Sequence, residues 1–491
     1  MLVNTGVLTS TASSDGTAVG VSVGATFGVT NTTKSDVDAG TNAKSSATGI
    51  AADSLEGDTT QTFDLSIQDS NGSLGGSLNY SKSEIRASGD DNITNSGIVS
   101  ANATSTTDAT SVGVTVGEAT AKADSEAESG TVAIDLGGGN DRLTNTGPLT
   151  ATSDSAASGV GVNVGIVASS PSSTPPPSGG GTPSTPPTPP SGSDKPTAKS
   201  DVDASTSATS RTTGIAADGL EGDTRHDFSL SIGDNGGSLS YSRSNIRASG
   251  DDEVTNFGSV DARATSTTSA VGVGVTIGGE ATAKATSEAN SGAVAIDLGG
   301  GNDTLMNFGA LTATATSHAT AVGVAVGAEL PTSTDESPSL LPTSSDVDAS
   351  ASAEARATGI AADSLEGDTR QDIGLSFQDS NGSLAGSLTY STSEIRASGD
   401  DFVNNNSSVD VNSAATTPAV GVGVMIGGAT TGKVSSEAES DAVAIDLGGG
   451  NDTLVNTGAL TSTATADATV VDVGVGVVIP TESVPVSIIP A

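Results

Sequence analysis

The feature that most constrains this chain is a nine-residue phrase that occurs three times at matching places. The phrase Ala-Ile-Asp-Leu-Gly-Gly-Gly-Asn-Asp lies at 133–141, 295–303 and 444–452. Each copy closes a longer segment, and the three segments open on Asp-Val-Asp-Ala at 36–39, 201–204 and 346–349. Repetition on this scale is typical of proteins in which each unit buries its apolar side against the next unit.

The spacing of glycine and acidic corners predicts a unit of about 50 residues within the longer segments. The corners of the first segment lie at 49–59, 85–91 and 133–141. Asp141 follows Asp91 by 50 residues, and the equivalent spacings in the other two segments are 51 residues. From the last corner of one segment to the first corner of the next, the spacings are 82 and 65 residues. Taking 28 proline-rich residues out of the first of these spacings leaves 54 residues, and taking 15 residues out of the second leaves 50.

The proline-rich stretches therefore read as insertions into a repeating structure. We predict a disordered loop at a hairpin tip with a continuous structure beneath it, and a conventional linker is the alternative. The predicted parts are a partial repeat at 1–33, β-repeat modules at 34–168, 199–329 and 345–480, a proline-rich insertion or linker at 169–198, a short linker at 330–344 and a tail at 481–491.

Alternating residue patterns predict β-structure almost throughout. Residues 311–327 and 281–297 alternate with period two and are rich in β-branched residues. Aromatic residues make up 2% of the chain and Trp is absent, so a large globular core is excluded and a thin one is expected. The predicted fold class is all-β, a parallel β-helix or solenoid-like stack of repeats.

Two local patterns add detail to this fold. In runs such as Val271–Val275, valines face one side and glycines the other, so the glycine side admits a close backbone. Residues 63–81 alternate on both sides of an Asn-Gly pair and predict a hairpin arm. Tyr80, Tyr241 and Tyr390 occupy one position of this arm in the three segments and are expected to be packing residues.

The net charge of the chain restricts the classes of molecule that it is expected to bind. With 18 Lys and Arg against 58 Asp and Glu, the net charge of -40 is expected to repel nucleic acid and to favour divalent cations as partners. The main role expected for the excess acid is to keep a secreted, Ser/Thr-rich surface soluble. The most apolar window, 470–479, is too short to cross a bilayer, so no membrane insertion is expected. No secretory signal is visible, and residues 2–6 repeat residues 454–458, which suggests a fragment of a longer protein.

The glycine-rich corners are candidate calcium sites. Glycines permit a tight turn that aims carbonyl oxygens inward, and aspartate supplies the hard oxygen that Ca²⁺ prefers. Stacked units would bring corner aspartates to about 4.8 Å from one another, where their repulsion invites a cation. The candidate ligands are Asp91, Asp141, Asp252, Asp303, Asp401 and Asp452, with Asn140, Asn302 and Asn451. The alternative is that these residues only cap exposed turns.

Two resemblances add expectations about function. The stretch 298–305, Leu-Gly-Gly-Gly-Asn-Asp-Thr-Leu, resembles the calcium-binding nonapeptide of RTX proteins, although here it occurs singly rather than in tandem. The phrase that starts at Gly450, GNDTLVNTGALTSTATA, resembles the β-helical repeats of bacterial autotransporter passengers and large adhesins. This second resemblance implies an extracellular or cell-surface location and a surface glycan or protein receptor as partner.

A row of asparagines gives a further structural expectation. Asn95, Asn145, Asn256, Asn307 and Asn456 each precede a glycine by two residues. Stacked units would align them into an amide ladder, and exposed left-handed turns are an equally good explanation.

The sequence offers little support for catalysis, which needs a few groups with distinct roles. Nearly every acidic motif here occurs three times, which is typical of a structural role. His226 and His318 have no counterparts in the other repeats, and Asp90 and Asp91 are adjacent strand residues that should face opposite ways. We therefore predict a structural or adhesive surface protein and no enzyme. The alternatives are a polysaccharide-acting β-helix enzyme and an ice-binding solenoid that uses arrays such as 312–316.

Overall fold

The structure, a computed structural model, consists mainly of β-strands in the residues that it describes. It describes residues 1–24, 33–52, 64–69, 74–79, 90–166, 198–217, 225–233, 236–240, 250–328, 344–362, 370–377, 386–391 and 399–477. For the strands between 64 and 79, 225 and 240, and 370 and 391, only the backbone is described. Tyr80, Tyr241, the tail at 481–491 and nearly all of the stretches at 169–198 and 330–344 lie outside the described residues.

The strands are, in chain order, β1 (Leu2–Asn4), β2 (Val7–Gly24), β3 (Thr33–Ala51), β4 (Asp64–Asp69), β5 (Leu74–Asn79), β6 (Asn92–Asn95), β7 (Ile98–Asp135), β8 (Arg142–Asn145), β9 (Leu149–Ile166), β10 (Ala198–Ala216), β11 (Arg225–Gly233), β12 (Gly236–Ser240), β13 (Glu253–Asn256), β14 (Val260–Ile277), β15 (Gly279–Asp297), β16 (Thr304–Asn307), β17 (Leu311–Ala328), β18 (Ser344–Ala361), β19 (Arg370–Phe377), β20 (Gly386–Ser391), β21 (Phe402–Asn405), β22 (Val409–Ile426), β23 (Ala429–Asp446), β24 (Thr453–Asn456) and β25 (Leu460–Val477).

These strands form a parallel solenoid whose coils follow one another in chain order. Sheet A holds the short strands β1, β6, β8, β13, β16, β21 and β24. Sheet B holds β2, the first half of β7, β9, β14, β17, β22 and β25, and sheet C holds β3, the second half of β7, β10, β15, β18 and β23. One coil passes through sheets A, B and C in turn. The predicted fold class, an all-β stack of parallel repeats, is therefore confirmed.

The predicted unit of about 50 residues is the shorter of two kinds of coil in the solenoid. Asn145 stacks on Asn95, 50 residues earlier, and Asn307 stacks on Asn256, 51 residues earlier. The coils between these are longer, because Asn256 stacks on Asn145, 111 residues earlier, and Asn405 stacks on Asn307, 98 residues earlier.

The register continues across the proline-rich stretch, because β9 pairs with β14 and β10 pairs with β15 although β14 and β15 are joined by a single glycine, Gly278. The strands on both sides of the proline-rich stretch thus keep the register of the neighbouring coil.

Two kinds of coil alternate along the stack. In the plain coils, 92–141, 253–303 and 402–452, sheet C leads directly into the Gly-Gly-Gly-Asn-Asp corner. In the arm coils, which end at 91, 252 and 401, a hairpin arm comes between sheet C and the corner. Each predicted long module therefore corresponds to two coils, and sheets A, B and C run without a break through all three modules.

The interior is thin because small residues line it. Most of the bulky buried side chains lie on the short strands of sheet A, as Ile93 and Leu305 do, or at the adjoining ends of the B and C strands, as Leu311 and Ile296 do. The other inward positions between sheets B and C are mostly alanine, serine, threonine and glycine. Serine and threonine hydroxyls pair across this space, as between Ser125 and Thr107 at 2.7 Å. These pairs satisfy hydroxyl groups that burial would otherwise leave without partners.

Glycines bring sheets B and C together near the ends of the B strands. A Cβ atom on Gly161 would lie 2.6 Å from Val202 Cγ1, and one on Gly272 would lie 2.7 Å from the Lys284 carbonyl oxygen. The glycine side of the Val-Gly runs thus faces sheet C, as close backbone approach requires. The alternating valines, such as Val271 and Val273, point outward.

The hairpin arms form a separate sheet. Strand β4 (64–69) pairs antiparallel with strand β5 (74–79), as the Asn-Gly pattern predicts. The arms of the other two modules pair with this one in the order β20-β19-β11-β12-β4-β5, which we call sheet D. Tyr390 lies on β20, the edge strand of this sheet.

Candidate functional site at the glycine-aspartate corners

The corners stack because a glycine recurs at one position in every coil. A Cβ atom on Gly301 would lie 1.8 Å from the Gly250 carbonyl oxygen, and one on Gly250 would lie 1.5 Å from the Gly139 carbonyl oxygen. Gly301 also has a φ of 132°, in the region that favours glycine. This requirement explains why the arm coils and the plain coils, which differ in sequence before the corner, both place glycine two residues before the last aspartate.

The predicted metal ligands form two columns, and the inner column consists of aspartates. The backbone N–H of Asp91 donates to Asp141 Oδ1 at 2.7 Å, and that of Asp141 donates to Asp252 Oδ1 at 2.7 Å. The same bond repeats through Asp303, Asp401 and Asp452 at 2.8, 2.8 and 3.0 Å. Asp141, Asp252, Asp303 and Asp401 are buried, with 1–2% of their surface exposed. The side chains stack in register and do not fan out into solvent.

Burial makes one of these carboxyl groups a weak acid. The pKa of Asp252 is raised to about 7, mainly because the carboxyl group is shielded from solvent. The hydrogen bond from the Asp141 backbone N–H acts to lower this pKa, and the charges of Asp141 and Asp251 act to raise it. Its second oxygen, Oδ2, is buried and accepts no hydrogen bond from the residues that the structure describes. Asp252 therefore carries a charge near neutral pH only at a cost.

The inner column is arranged first of all as a set of hydrogen-bond acceptors. Ca²⁺ takes six to eight oxygen ligands, and here the Oδ1 atom of every inner aspartate after Asp91 already accepts a backbone N–H of the neighbouring coil. Among the residues that the structure describes, no group of three or more histidines, cysteines or acidic residues is placed to hold a metal ion.

The outer column alternates between aspartate and asparagine. Asp90 Oδ1 accepts the Asn140 backbone N–H at 3.1 Å, and the Asp251 backbone N–H donates to Asn140 Oδ1 at 2.8 Å. The column continues through Asn302, Asp400 and Asn451 in the same way. It is exposed, and because the arm coils end in Asp-Asp and the plain coils in Asn-Asp, a neutral amide separates each pair of carboxylates.

The expected asparagine ladder is present and runs the whole length of sheet A. Nδ2 of each asparagine donates to Oδ1 of the next at 2.7–2.8 Å. The members are Asn4, Asn95, Asn145, Asn256, Asn307, Asn405 and Asn456. Asn4 and Asn405 were not among the predicted members. Asn405 precedes Ser407 instead of glycine, so the Asn-x-Gly pattern misses it.

The remaining candidate residues are distributed over separate surfaces. His318 points outward from β17, and its Nε2 lies 3.3 Å from Thr320 Oγ1, whereas the side chain of His226 lies outside the described residues. Asp90 belongs to the outer column and Asp91 to the inner one, as their adjacent positions predict.

The threonines at 312–316 do face outward, but their array is mixed. The neighbouring strands place Asp261 and Asp410 beside Thr312, and Arg263 and Asn412 beside Thr314. A flat surface of threonine alone is therefore not formed at these positions.

Sheet C carries a second alternating charge pattern. One outward column reads Asp38, Lys122, Asp203, Lys284, Asp348 and Lys433 from coil to coil. Lys284 Nζ lies 3.6 Å from Asp203 Oδ2, and Lys34 Nζ lies 2.8 Å from Glu118 Oε2 in a neighbouring column. Sequence reasoning missed this pattern, although the alignment of plain with arm coils contains it.

In comparisons with known proteins, no family model, no curated protein and no solved structure matches the chain. None of the described segments forms a helix that is long and apolar enough to cross a membrane.

Proposed function

We propose that this chain is a structural, adhesive repeat protein of a cell surface, whose role is to present broad, regular β-faces. The observation that carries the proposal is the uninterrupted register of sheets A, B and C through every coil. Strands of 18 residues make the body about 60 Å wide, whereas each coil adds only about 4.8 Å of height. The geometry therefore favours contact area over reach.

The distribution of acidic groups supports a scaffold in preference to an enzyme. Hydrolysis of a glycosidic bond needs two carboxyl groups that face each other across the substrate. At the corners the carboxyl groups recur from coil to coil, and they are used as acceptors for backbone N–H groups. The outward residues of sheet C are paired as exposed ions, which keep an extended surface soluble.

The location and the adhesive role have separate tests. Antibodies against the chain should label intact cells of its source as strongly as permeabilised ones, and labelling only after permeabilisation would refute a surface location. Beads coated with the chain should bind host cells or a glycan array above the level of beads coated with heat-unfolded chain. Equal binding by both kinds of bead would refute adhesion while leaving the location untouched.

Calcium stabilisation is a subsidiary proposal that Asp252 supports, because its buried Oδ2 accepts no hydrogen bond from the described residues. Adding Ca²⁺ to chelator-stripped chain should raise the melting temperature as the ion binds the folded state, and the same concentration of Mg²⁺ should do so less. Asp252→Asn should abolish the calcium effect. An unchanged melting curve for the unaltered chain would rule out this proposal and leave the structural role intact.

A further inference from the structure

The outer surface of sheet B changes character along its strands. In β14 the outward positions 261–269 are polar or charged, whereas the later outward positions Val271, Val273, Val275 and Ile277 are aliphatic. The positions that pair in register with these four on the other B strands are also valine or isoleucine, with Thr110 and Ala328 as the exceptions in the described residues. We call this surface the valine face.

The valine face is uncovered in the part of the chain that the structure describes. The B strands pack against one another and, through their glycine side, against sheet C, and no described element packs on their outer side. Interior members such as Val273 are only partly exposed because neighbouring valines in the array cover their flanks. At the ends of the stack the same positions are open, with Val21 66% and Val473 41% exposed.

The size of the valine face is that of a stable protein interface. Four columns about 6.7 Å apart on strands about 4.8 Å apart give an area of about 900 Å² for the seven strands of sheet B. A standard interface buries about 800 Å² on each partner. The largest apolar patch of an ordinary monomer is smaller, about 300–600 Å².

The geometry also favours one partner. The valine face carries no charged residue, so it is a surface on which two molecules of net charge -40 can meet without placing like charges together. Two copies present the same row spacings, and rows of β-branched side chains at equal spacings can interdigitate as the layers of a β-sandwich do. We propose that the valine face binds the valine face of a second copy of this chain, forming a twofold-symmetric dimer.

Sedimentation velocity of the full chain at about 1–100 µM tests the proposal. We expect a species of twice the 47.2 kDa chain mass. Val273→Lys with Val324→Lys, at adjacent paired positions, should raise the dissociation constant at least tenfold. Thr265→Lys with Thr316→Lys is the matched control, because these residues pair on the same two strands outside the valine face. The control should leave the dimer unchanged.

A milder triple variant guards against misfolding. Val162→Thr, Val273→Thr and Val324→Thr together keep the β-branched shape, and a weakened dimer with an unchanged circular dichroism spectrum supports the proposal.

A wild-type chain that stays monomeric over the whole concentration range overturns the proposal, and so does a dimer that the valine changes leave intact. Dimerisation only after deletion of 169–196 would show that this segment covers the valine face, and binding of the monomer to phosphatidylcholine vesicles would show a lipid partner. Either result also overturns the proposal.

Discussion

Two columns of polar side chains run along the same stack, one of asparagines and one of aspartates, and they differ in how they are satisfied. Each amide both donates and accepts, so neighbouring asparagines bond to each other through their side chains. The second N–H of the amide donates to a backbone carbonyl two residues on, as from Asn256 to Gly258 at 2.8 Å. Each ionised carboxylate only accepts, so the aspartate column depends on backbone N–H groups of the neighbouring coil.

The difference teaches that the asparagine ladder can be buried without a charge, whereas the aspartate column gains its hydrogen bonds at the cost of burying carboxylates. The aspartate column also requires the tight backbone approach that Gly301 and its equivalents permit. The turn after the asparagine ladder makes an equally close approach, because a Cβ atom on Gly258 would lie 1.9 Å from the Gly147 carbonyl oxygen. Both columns should therefore respond to backbone changes, and only the aspartate column should respond to pH.

The largest expected effect comes from opening the aspartate corner. Gly301→Ala places a Cβ 1.8 Å from the Gly250 carbonyl oxygen at a φ of 132°, so the neighbouring coils must separate. We expect a loss of about 4 kcal/mol in the free energy of unfolding, measured by chemical denaturation. Gly292→Ala is the control, because its added Cβ meets nothing within 4 Å, and it should stabilise by about 0.5 kcal/mol. Equal effects of the two changes would contradict the tight corner.

The next largest effect comes from breaking the asparagine ladder in its middle. Asn256→Ala removes the acceptor of Asn145 Nδ2 and the donor to Asn307 Oδ1, both of them buried. Two unsatisfied buried groups should cost about 3 kcal/mol, measured as a shift of the denaturation midpoint. Asn456→Ala, at the exposed end of the ladder, is the matched control and should cost less than about 1 kcal/mol.

A pH titration of stability separates the two columns. Because the pKa of Asp252 is raised to about 7 in the folded chain, its proton stabilises the fold fully below about pH 4, and this contribution is lost as the pH rises through 7. The shift corresponds to about 4 kcal/mol at most, and we expect about 2 kcal/mol because the effective dielectric constant of proteins weakens such terms. Unfolding free energies from pH 4 to 8, compared between the wild type and Asp252→Asn, measure this contribution.

Two controls sharpen the titration. The profile of Asp252→Asn should be flatter than that of the wild type over this range, and parallel profiles would contradict the assignment. Asn256→Ala should shift the whole profile downward without changing its slope, because the asparagine ladder contains no titrating group.

The smallest effect tests the alternation of the outer column. Asn302→Asp places a third carboxylate between Asp251 and Asp400 and removes the Asn302 Nδ2 bond to Asp251 Oδ1 at 3.0 Å. We expect a loss of about 0.5–1 kcal/mol at low salt, reduced in 1 M salt by screening. Asp251→Asn removes a charge instead and should not destabilise at low salt. Identical losses at both salt concentrations would argue against repulsion as the cause.

The repeat spacing and the β-alternation predict much of the fold because each coil repeats the same side-chain positions. The corner aspartates predict the inner column, and Asn-x-Gly predicts most of the asparagine ladder. The Asn-x-Gly pattern does not predict Asn405, because Ser407 stands where the other coils have glycine. The side chain of Asn405 nevertheless takes its place in the ladder and makes the same hydrogen bonds.

Other features depend on which coils become neighbours. Valine alternating with glycine does not show which side faces inward, and the answer lies in the approach of Gly161 to Val202 across the two sheets. The raised pKa of Asp252 depends on burial beside Asp141, which is distant in sequence. The alternating column of Asp203 and Lys284 becomes visible only when arm and plain coils are stacked in turn.

The alternation of arm and plain coils also limits how such a chain can evolve. Losing a single plain coil would set aspartate against aspartate both in the outer column and on sheet C, and losing a single arm coil would set lysine against lysine on sheet C. Losing or duplicating two adjacent coils together would preserve every neighbour. A gene of this kind is therefore expected to grow and shrink in even steps, and relatives of different length should differ by whole pairs of coils.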